Sequence, residues 1–306
     1  MNALLAVSSI YVFILIGFIA KKVFDDRIDD KSFVIISLYF LQPIFIFWGL
    51  TRSPIDFNLI YTPFLYFIII SVVLIVLILL SRFMFRDTQE RSIFIVASLI
   101  GNTGNLGIPL GIALFGESSV PYTSIINIAN IFFIYTVGIY FYAKSHYSIQ
   151  DSLKEMFKIP ILWSAIIALG FNYSGMGIHQ QIDQVLQMAA YATIVLQLII
   201  FGIYLAKTPI KSQNFRLTLS VSLVKLIILP LMGIWILSFT TFPSELSAIL
   251  VVSLIVPLAV NNVNMAALYE CKPYDVTAVV LVSTLLFLLL AYFDLMLIEY
   301  FFASAN

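Results

Sequence analysis

From Asn2 onward the chain runs as long apolar stretches cut by short polar ones, and most of the stretches are about 20 residues long. That is the length a helix needs to cross about 30 Å of hydrocarbon at 1.5 Å per residue; a membrane barrel reads instead as short alternating segments. The pattern predicts an all-α integral membrane protein with ten transmembrane helices, at roughly 2–22, 32–50, 59–82, 92–115, 120–143, 159–174, 185–206, 217–240, 245–269 and 275–302. Local signals mark several starts. Asp87 with Glu90 forms a capping box before the fourth run, Pro121 after Ser118 and Ser119 opens the fifth, Pro160 opens the sixth, and Asp275 caps the tenth. The first run has no basic stretch before it and no small-residue cleavage signature, so it is expected to stay as a span and not to be removed as a signal peptide.

Composition points the same way: 61% of the 306 residues are hydrophobic and 10% charged, with a mean hydropathy of +1.05, far from a soluble domain. The basic residues test the count, because cytoplasmic loops are enriched in Lys and Arg. The odd-numbered loops carry Lys21, Lys22, Arg27 and Lys31; Arg82, Arg86 and Arg91; Lys144, Lys154 and Lys158; Lys207, Lys211 and Arg216; and Lys272. That is fourteen of the sixteen basic residues, with Arg52 alone in the even loops and Lys225 inside a run. The alternation predicts a multi-pass cell (plasma) membrane protein with both termini outside. A formal net charge of zero implies neither nucleic acid nor an acidic partner, and the lone Cys271 can form no internal disulfide or cysteine metal site.

The longest basic loop falls in the middle, which divides the chain into residues 1–150 and 151–306, five helices each. Five is odd, so the second half enters the membrane from the opposite side, as in the inverted repeats of secondary transporters. The fourth run of each half is interrupted: NTGNLGIP, Asn102 to Pro109, in the first and PLAVNNVN, Pro257 to Asn264, in the second. Proline removes an amide donor and crowds the preceding turn, glycine admits non-helical angles, and opened backbone at membrane depth persists only where protein or a water-filled cavity satisfies it. If the two broken helices cross at mid-membrane, half-helix N-termini, from about Gly107 and Asn262 onward, face one site with partial positive charge suited to a carboxylate. Packing kinks are the alternative for either break taken alone. Asn102, Asn105, Asn261, Asn262 and Asn264 are the candidate polar contacts there.

At these residues the sequence resembles the auxin efflux carrier family, on GNTGNLGIPLGIALFG, IVPLAVNNVNMAALYE and VLVSTLLFLLL. That family includes plant auxin exporters and bacterial permeases for small dicarboxylates such as malate and malonate. The resemblance implies a fold like that of bile-acid symporters and sodium/proton antiporters. It also implies an elevator-type movement in which helices three to five and eight to ten form the transport domain and helices one, two, six and seven the scaffold, with room for a homodimer through the scaffold. It places Asn102, Pro109, Pro257 and Asn261 at the crossing.

Further candidates lie inside the runs. Lys225 sits roughly 12 Å deep in the eighth run at 1.5 Å per residue, where an ammonium is costly and marks function or pairing; it is expected to hold substrate charge, stand in for sodium, or carry a coupling proton, unless it snorkels. Asn127 and Asn130 share a face of the fifth run and either line the cavity or join helices. Gln42 and Gln197 occupy equivalent runs of the two halves. DDRIDD, Asp25 to Asp30, resembles a magnesium diphosphate motif but has no second acidic cluster to work with, and His146 and His179 fall on opposite sides of the membrane. No hydrolase set and no Walker loop is present, so an enzyme is not expected, nor a cofactor beyond a proton or sodium as coupling ion. The reading is a secondary transporter for a small organic anion, with a sodium-coupled bile-acid-type symporter and a membrane-embedded sensor or scaffold as alternatives.

Overall fold

A computed structural model describes residues 2–52, 54–143, 157–158, 160–207 and 214–302. His146, Lys144, Lys154 and Lys211 lie outside the described residues, as does the side chain of Asn264. The described chain is helical: α1 (Asn2–Phe24), α2 (Ser32–Leu50), α3 (Phe57–Met84), α4 (Thr88–Ala97), α5 (Thr103–Phe115), α6 (Glu117–Ala143), α7 (Pro160–Tyr173), α8 (Gln180–Lys207), α9 (Phe215–Leu237), α10 (Ser244–Ile255), α11 (Asn261–Leu268) and α12 (Pro273–Phe302). Six of them, α2, α3, α6, α8, α9 and the Pro273–Leu290 part of α12, are long and apolar enough to cross a membrane. Each apolar run of the sequence falls on one of these helices, except that the fourth is split into α4 and α5 and the ninth into α10 and α11.

The helix starts follow from capping chemistry. Asp56 accepts from the Leu59 amide at 2.7 Å to begin α3, and Asp87 accepts from Gln89 and Glu90 at 2.7 and 3.1 Å to begin α4. The Glu90 carboxylate does not reach back to close a capping box; it goes to Lys272, 2.8 Å away. Pro273 opens α12, so Asp275 lies in its first turn and not at its cap.

Four stretches wind as wider π-helical turns: Ser37–Leu41 in α2, Thr103–Gly107 in α5, Ile134–Gly138 in α6 and Val224–Ile228 in α9. In three of them a proline follows two residues after the turn, at Pro43, Pro109 and Pro230. The ring of a proline presses on the carbonyl four residues before it, here those of Tyr39, Asn105 and Leu226, and the wider turn makes the room. Proline chemistry thus sets where α2, α5 and α9 deform.

Packing groups the helices. α2 lies against α7 and α8, and α1 lies along α8, while α3 packs on α4, α6 and α9, and α12 on α9, α10 and α11. The α1–α8 approach is backbone to backbone: a Cβ at Gly17 would lie 2.0 Å from the Ile199 carbonyl oxygen, and one at Gly202 1.9 Å from that of Ile14. The larger core fills the second group, and a smaller one joins Phe45, Ile46, Trp48 and Leu50 of α2 with Ile108, Val120, Ile161 and Ala190. Large apolar side chains face outward, Phe83, Phe239 and Leu289 among them, the surface a bilayer covers and water does not.

Candidate functional site

The two interruptions meet. Between α4 and α5, and between α10 and α11, the chain is extended, and the two stretches pair antiparallel at Gly101 and Leu258. The Asn102 amide donates to the Pro257 carbonyl at 2.8 Å, and the Ala259 amide to the Ile100 carbonyl at 3.4 Å. Backbone groups freed by one broken helix are therefore satisfied by the other, which is what a break at membrane depth requires.

Beside this crossing lies a cavity of about 250 Å³, lined by Ser37 and Gln42 of α2, by Asn102, Thr103 and Asn105, by Asn127, Asn130 and Tyr135 of α6, by Tyr204 of α8 and by Asn261. None of the described residues lining it carries a charged side chain. Three of the four π turns contribute to the wall, and the fourth carries Lys225.

The hydrogen bonds fix which way the Asn127 and Asn130 amides point. The Asn130 Nδ2 donates to the Gly101 carbonyl at 2.9 Å, an acceptor only, and also to Thr103 Oγ1 at 3.0 Å. The Thr103 hydroxyl, having accepted, gives its own proton to Asn127 Oδ1 at 2.9 Å. Asn130 Oδ1 is taken by the Tyr66 hydroxyl at 3.1 Å. Asn127 is left presenting its Nδ2 donors to the cavity. Asn102 Nδ2 is buried and has no hydrogen-bond partner among the described residues. The first helical bonds of α5 are donated by Leu106 and Gly107 to the Asn102 carbonyl, so the amides of Thr103, Gly104 and Asn105 precede them as an unsatisfied helix N-terminus. The wall is donor-rich.

Lys225 does not snorkel. It is 1% exposed, and its Nζ lies 2.8 Å from where a Cβ on Gly101 would sit. Among the described residues it has no hydrogen-bond or ion-pair partner. Only the side-chain-free Gly101 lets the Lys225 amine approach the crossing, and Lys225 is not among the residues that line the cavity.

Of the residues singled out by sequence, Asn102, Asn105, Asn127, Asn130, Asn261 and Gln42 line the cavity. Asn262 sits behind it: Nδ2 donates to the Ala259 carbonyl at 3.0 Å, and Oδ1 accepts from the Tyr142 hydroxyl at 3.0 Å. Pro257 takes part through its carbonyl, whereas Pro109 is buried in α5 and absent from the lining. A π turn from Thr103 opens α5, and its α-helical part follows from Ile108 with Gly107 as N-cap, at the expected place. Gln197 is buried and does not line the cavity. Tyr66 and Tyr142, which orient the asparagines, carry no sequence signal apart from being hydroxyls in apolar runs, and Thr103 stands out only as part of NTGNLGIP.

A family model described as a membrane transport protein, the auxin efflux carrier family, matches residues 3–293. An uncharacterized transporter from Methanocaldococcus jannaschii is 22% identical over 285 residues, covering 90% of this chain and 92% of the relative. The long apolar helices and this match make the protein a multi-pass membrane transporter. With nearly the whole length matched, the chain belongs to the auxin efflux carrier family.

Proposed function

We propose that the protein is a secondary active transporter that carries a small organic anion, a carboxylate of the size of malate, malonate or an auxin-like acid, across the cell membrane. In this reading ten crossings form two inverted five-helix repeats, 1–150 and 151–306, and the paired interruptions are their symmetric centres. The close packing of α1, α2, α7 and α8 on one another, with α5 and α6 lying against them, supports a scaffold and a moving transport domain, hence alternating access of the elevator type.

The observation that carries the substrate class is the polarity of the cavity wall. Among the described residues Asn102 Nδ2 has no partner, Asn127 presents donors, and the α5 amides stand open. A buried donor left unpaired costs about 1–3 kcal/mol, and a carboxylate supplies four acceptor positions at once. When protonated, Lys225 places one positive charge next to Gly101, where it attracts an anion and repels a second cation; this favours a coupling role for Lys225 itself over a sodium ion at the crossing.

Uptake of radiolabelled malate, malonate and indole-3-acetate into proteoliposomes, under a pH gradient and under a sodium gradient, tests the proposal. Uptake of one carboxylate that is lost in Asn102→Ala is expected. Uptake of a neutral or cationic solute with no carboxylate moved would overturn it.

A further inference from the structure

The cavity is walled toward the basic end of the helices, where Ser37 follows Lys31 by about two turns and Tyr204 precedes Lys207 by one. At the opposite end stands a charged cluster that the transport site does not use. Arg52, just beyond α2, lies with its guanidinium 4.5 Å from the centre of the Trp48 ring. Its Nη1 is 3.2 Å from Asp183 Oδ2 in the first turn of α8, and its Nη2 is 3.9 Å from Glu117 Oε2. Glu117 is the first residue of α6, and its Oε1 also accepts from the Tyr191 hydroxyl and from Gln187 Nε2 at 3.4 Å, both on α8. The groups that hold Glu117 thus all belong to the end of α2 or to α8, and Glu117 alone belongs to the chain that forms the crossing.

Below the cluster the small apolar core is shut: Trp48 and Val120 are fully buried, and Phe45 and Ile108 are each 1% exposed. Any path from the cavity to this end runs past them and requires α5 and α6 to part from α2 and α8. The geometry points to Glu117 as the hook of an ion-pair latch that keeps the transporter closed at the Arg52 end while the cavity is walled toward the basic end. The latch rests on the proposed division into moving and fixed helices. Each contact is partly exposed and small by itself. Shared on one carboxylate by a guanidinium, a phenol and an amide, they act together, and the hydrogen bonds to a charged group weigh most.

The test is the distance between nitroxide labels at Phe57→Cys, at the start of α3, and Ile182→Cys, in α8, with Cys271→Ala as background; both label sites are exposed. Measured by double electron–electron resonance in nanodiscs without substrate, Glu117→Gln is expected to raise the ratio of a longer-distance population about tenfold, the change that a loss of charged hydrogen bonding of this order gives. Tyr191→Phe, which keeps the charge and removes one donor, should move the ratio the same way by less, and it decides the question if Glu117→Gln does not fold. Wild-type distance distributions in both variants would overturn the latch. The readout needs no substrate, so failure to transport a carboxylate would count against the proposed function and leave this result standing.

Discussion

The Asn130 side chain donates to the Gly101 carbonyl at 2.9 Å, and this bond sets the polarity of the Asn127 face of the cavity wall. A carbonyl cannot donate, so Asn130 must point its nitrogen there, Thr103 must give its proton onward, and Asn127 must accept it and face the cavity with donors. Asn127→Asp replaces those donors with a carboxylate. An anionic substrate should then bind about a hundredfold more weakly or worse, since two like charges at contact distance repel by several kcal/mol at protein dielectric. Asn127→Ala should lose nearer tenfold, the worth of a hydrogen bond to a charged group. Isothermal titration in detergent reads both, and tighter binding in Asn127→Asp would mean that the wall takes a cation.

Gly101 and Lys225 form a second coupled pair. A methyl at Gly101 would meet Lys225 Nζ at 2.8 Å and Val256 Cγ2 at 3.1 Å, so Gly101→Ala should displace the ammonium and cost about 1–3 kcal/mol of stability through overpacking. Lys225→Met, shorter and uncharged, should recover part of that loss in the double variant, a non-additivity expected of residues in contact. Lys225→Ala alone should depress transport, or flatten its pH dependence, more than it depresses melting temperature. Unchanged uptake across pH would remove Lys225 from the mechanism.

How much of this was legible in the sequence follows from what each feature depends on. The apolar runs announce the long helices because a helix crossing hydrocarbon needs length and little else. The paired interruptions announce the crossing because proline and asparagine are costly in an apolar helix unless something answers them. Orientation of side chains was not legible: Asn261 and Asn262 are adjacent and chemically identical, yet one lines the cavity and the other bonds Ala259 and Tyr142 behind it. The helical turn alone decides that, by about 100° per residue. The π turn that opens α5 was not legible either, since Pro109 marks the helix after a widened turn whose origin lies upstream at Thr103. Arg52 stood out only as the lone basic residue of its loops; its partners Glu117 and Asp183 are far along the chain.

The α1–α8 contact predicts a folding defect and not a transport defect. Gly202 brings its backbone so near Ile14 that a Cβ would overlap the carbonyl oxygen, at 1.9 Å. Gly202→Val should therefore force the helices apart and cost about 3 kcal/mol or more, at the upper end of overpacking effects. Gly170→Ala, where nothing lies within 4 Å, is the matched control and should be neutral or slightly stabilising through helix propensity. Size-exclusion profiles and melting temperatures in the same detergent distinguish the two.

At the basic end, Lys272 lies 2.9 Å from Asp87 and 2.8 Å from Glu90 and ties the start of α4 to the loop before α12. The hydrogen bond from Lys272 holds the Asp87 carboxyl below its ordinary value, helped by the Gln89 and Glu90 amides and opposed by partial burial. For Lys272, burial pulls the ammonium down, but its hydrogen bonds to Glu90 and Asp87 outweigh that and raise it. A depressed carboxylate gives stability that is present above its unfolded value and lost as pH falls through the folded one. A raised lysine gives stability that is present below its unfolded value and lost as pH climbs through the folded one. The clasp is thus intact across neutral pH and fails in strong acid and strong base. Lys272→Ala should lower stability at pH 7 by about 0.2–1 kcal/mol, given the partly exposed partners, and that difference should shrink only as pH falls below the ordinary carboxylate range and Asp87, held below it, takes up its proton.

The most direct measurement is a thermal-shift comparison of wild type and Asn102→Ala against malate, malonate, succinate, citrate, indole-3-acetate and a bile acid, each with and without sodium and at two pH values. A ligand of the native state stabilises it by about 2.7 kcal/mol at a hundred times its dissociation constant. The expected result is a shift with at least one carboxylate, independent of sodium and absent in Asn102→Ala, which puts the anion on the unpartnered amide at the crossing. A shift produced by sodium or by a neutral solute, with none from any carboxylate, would contradict the donor-lined anion site and assign the crossing to a cation or an uncharged substrate.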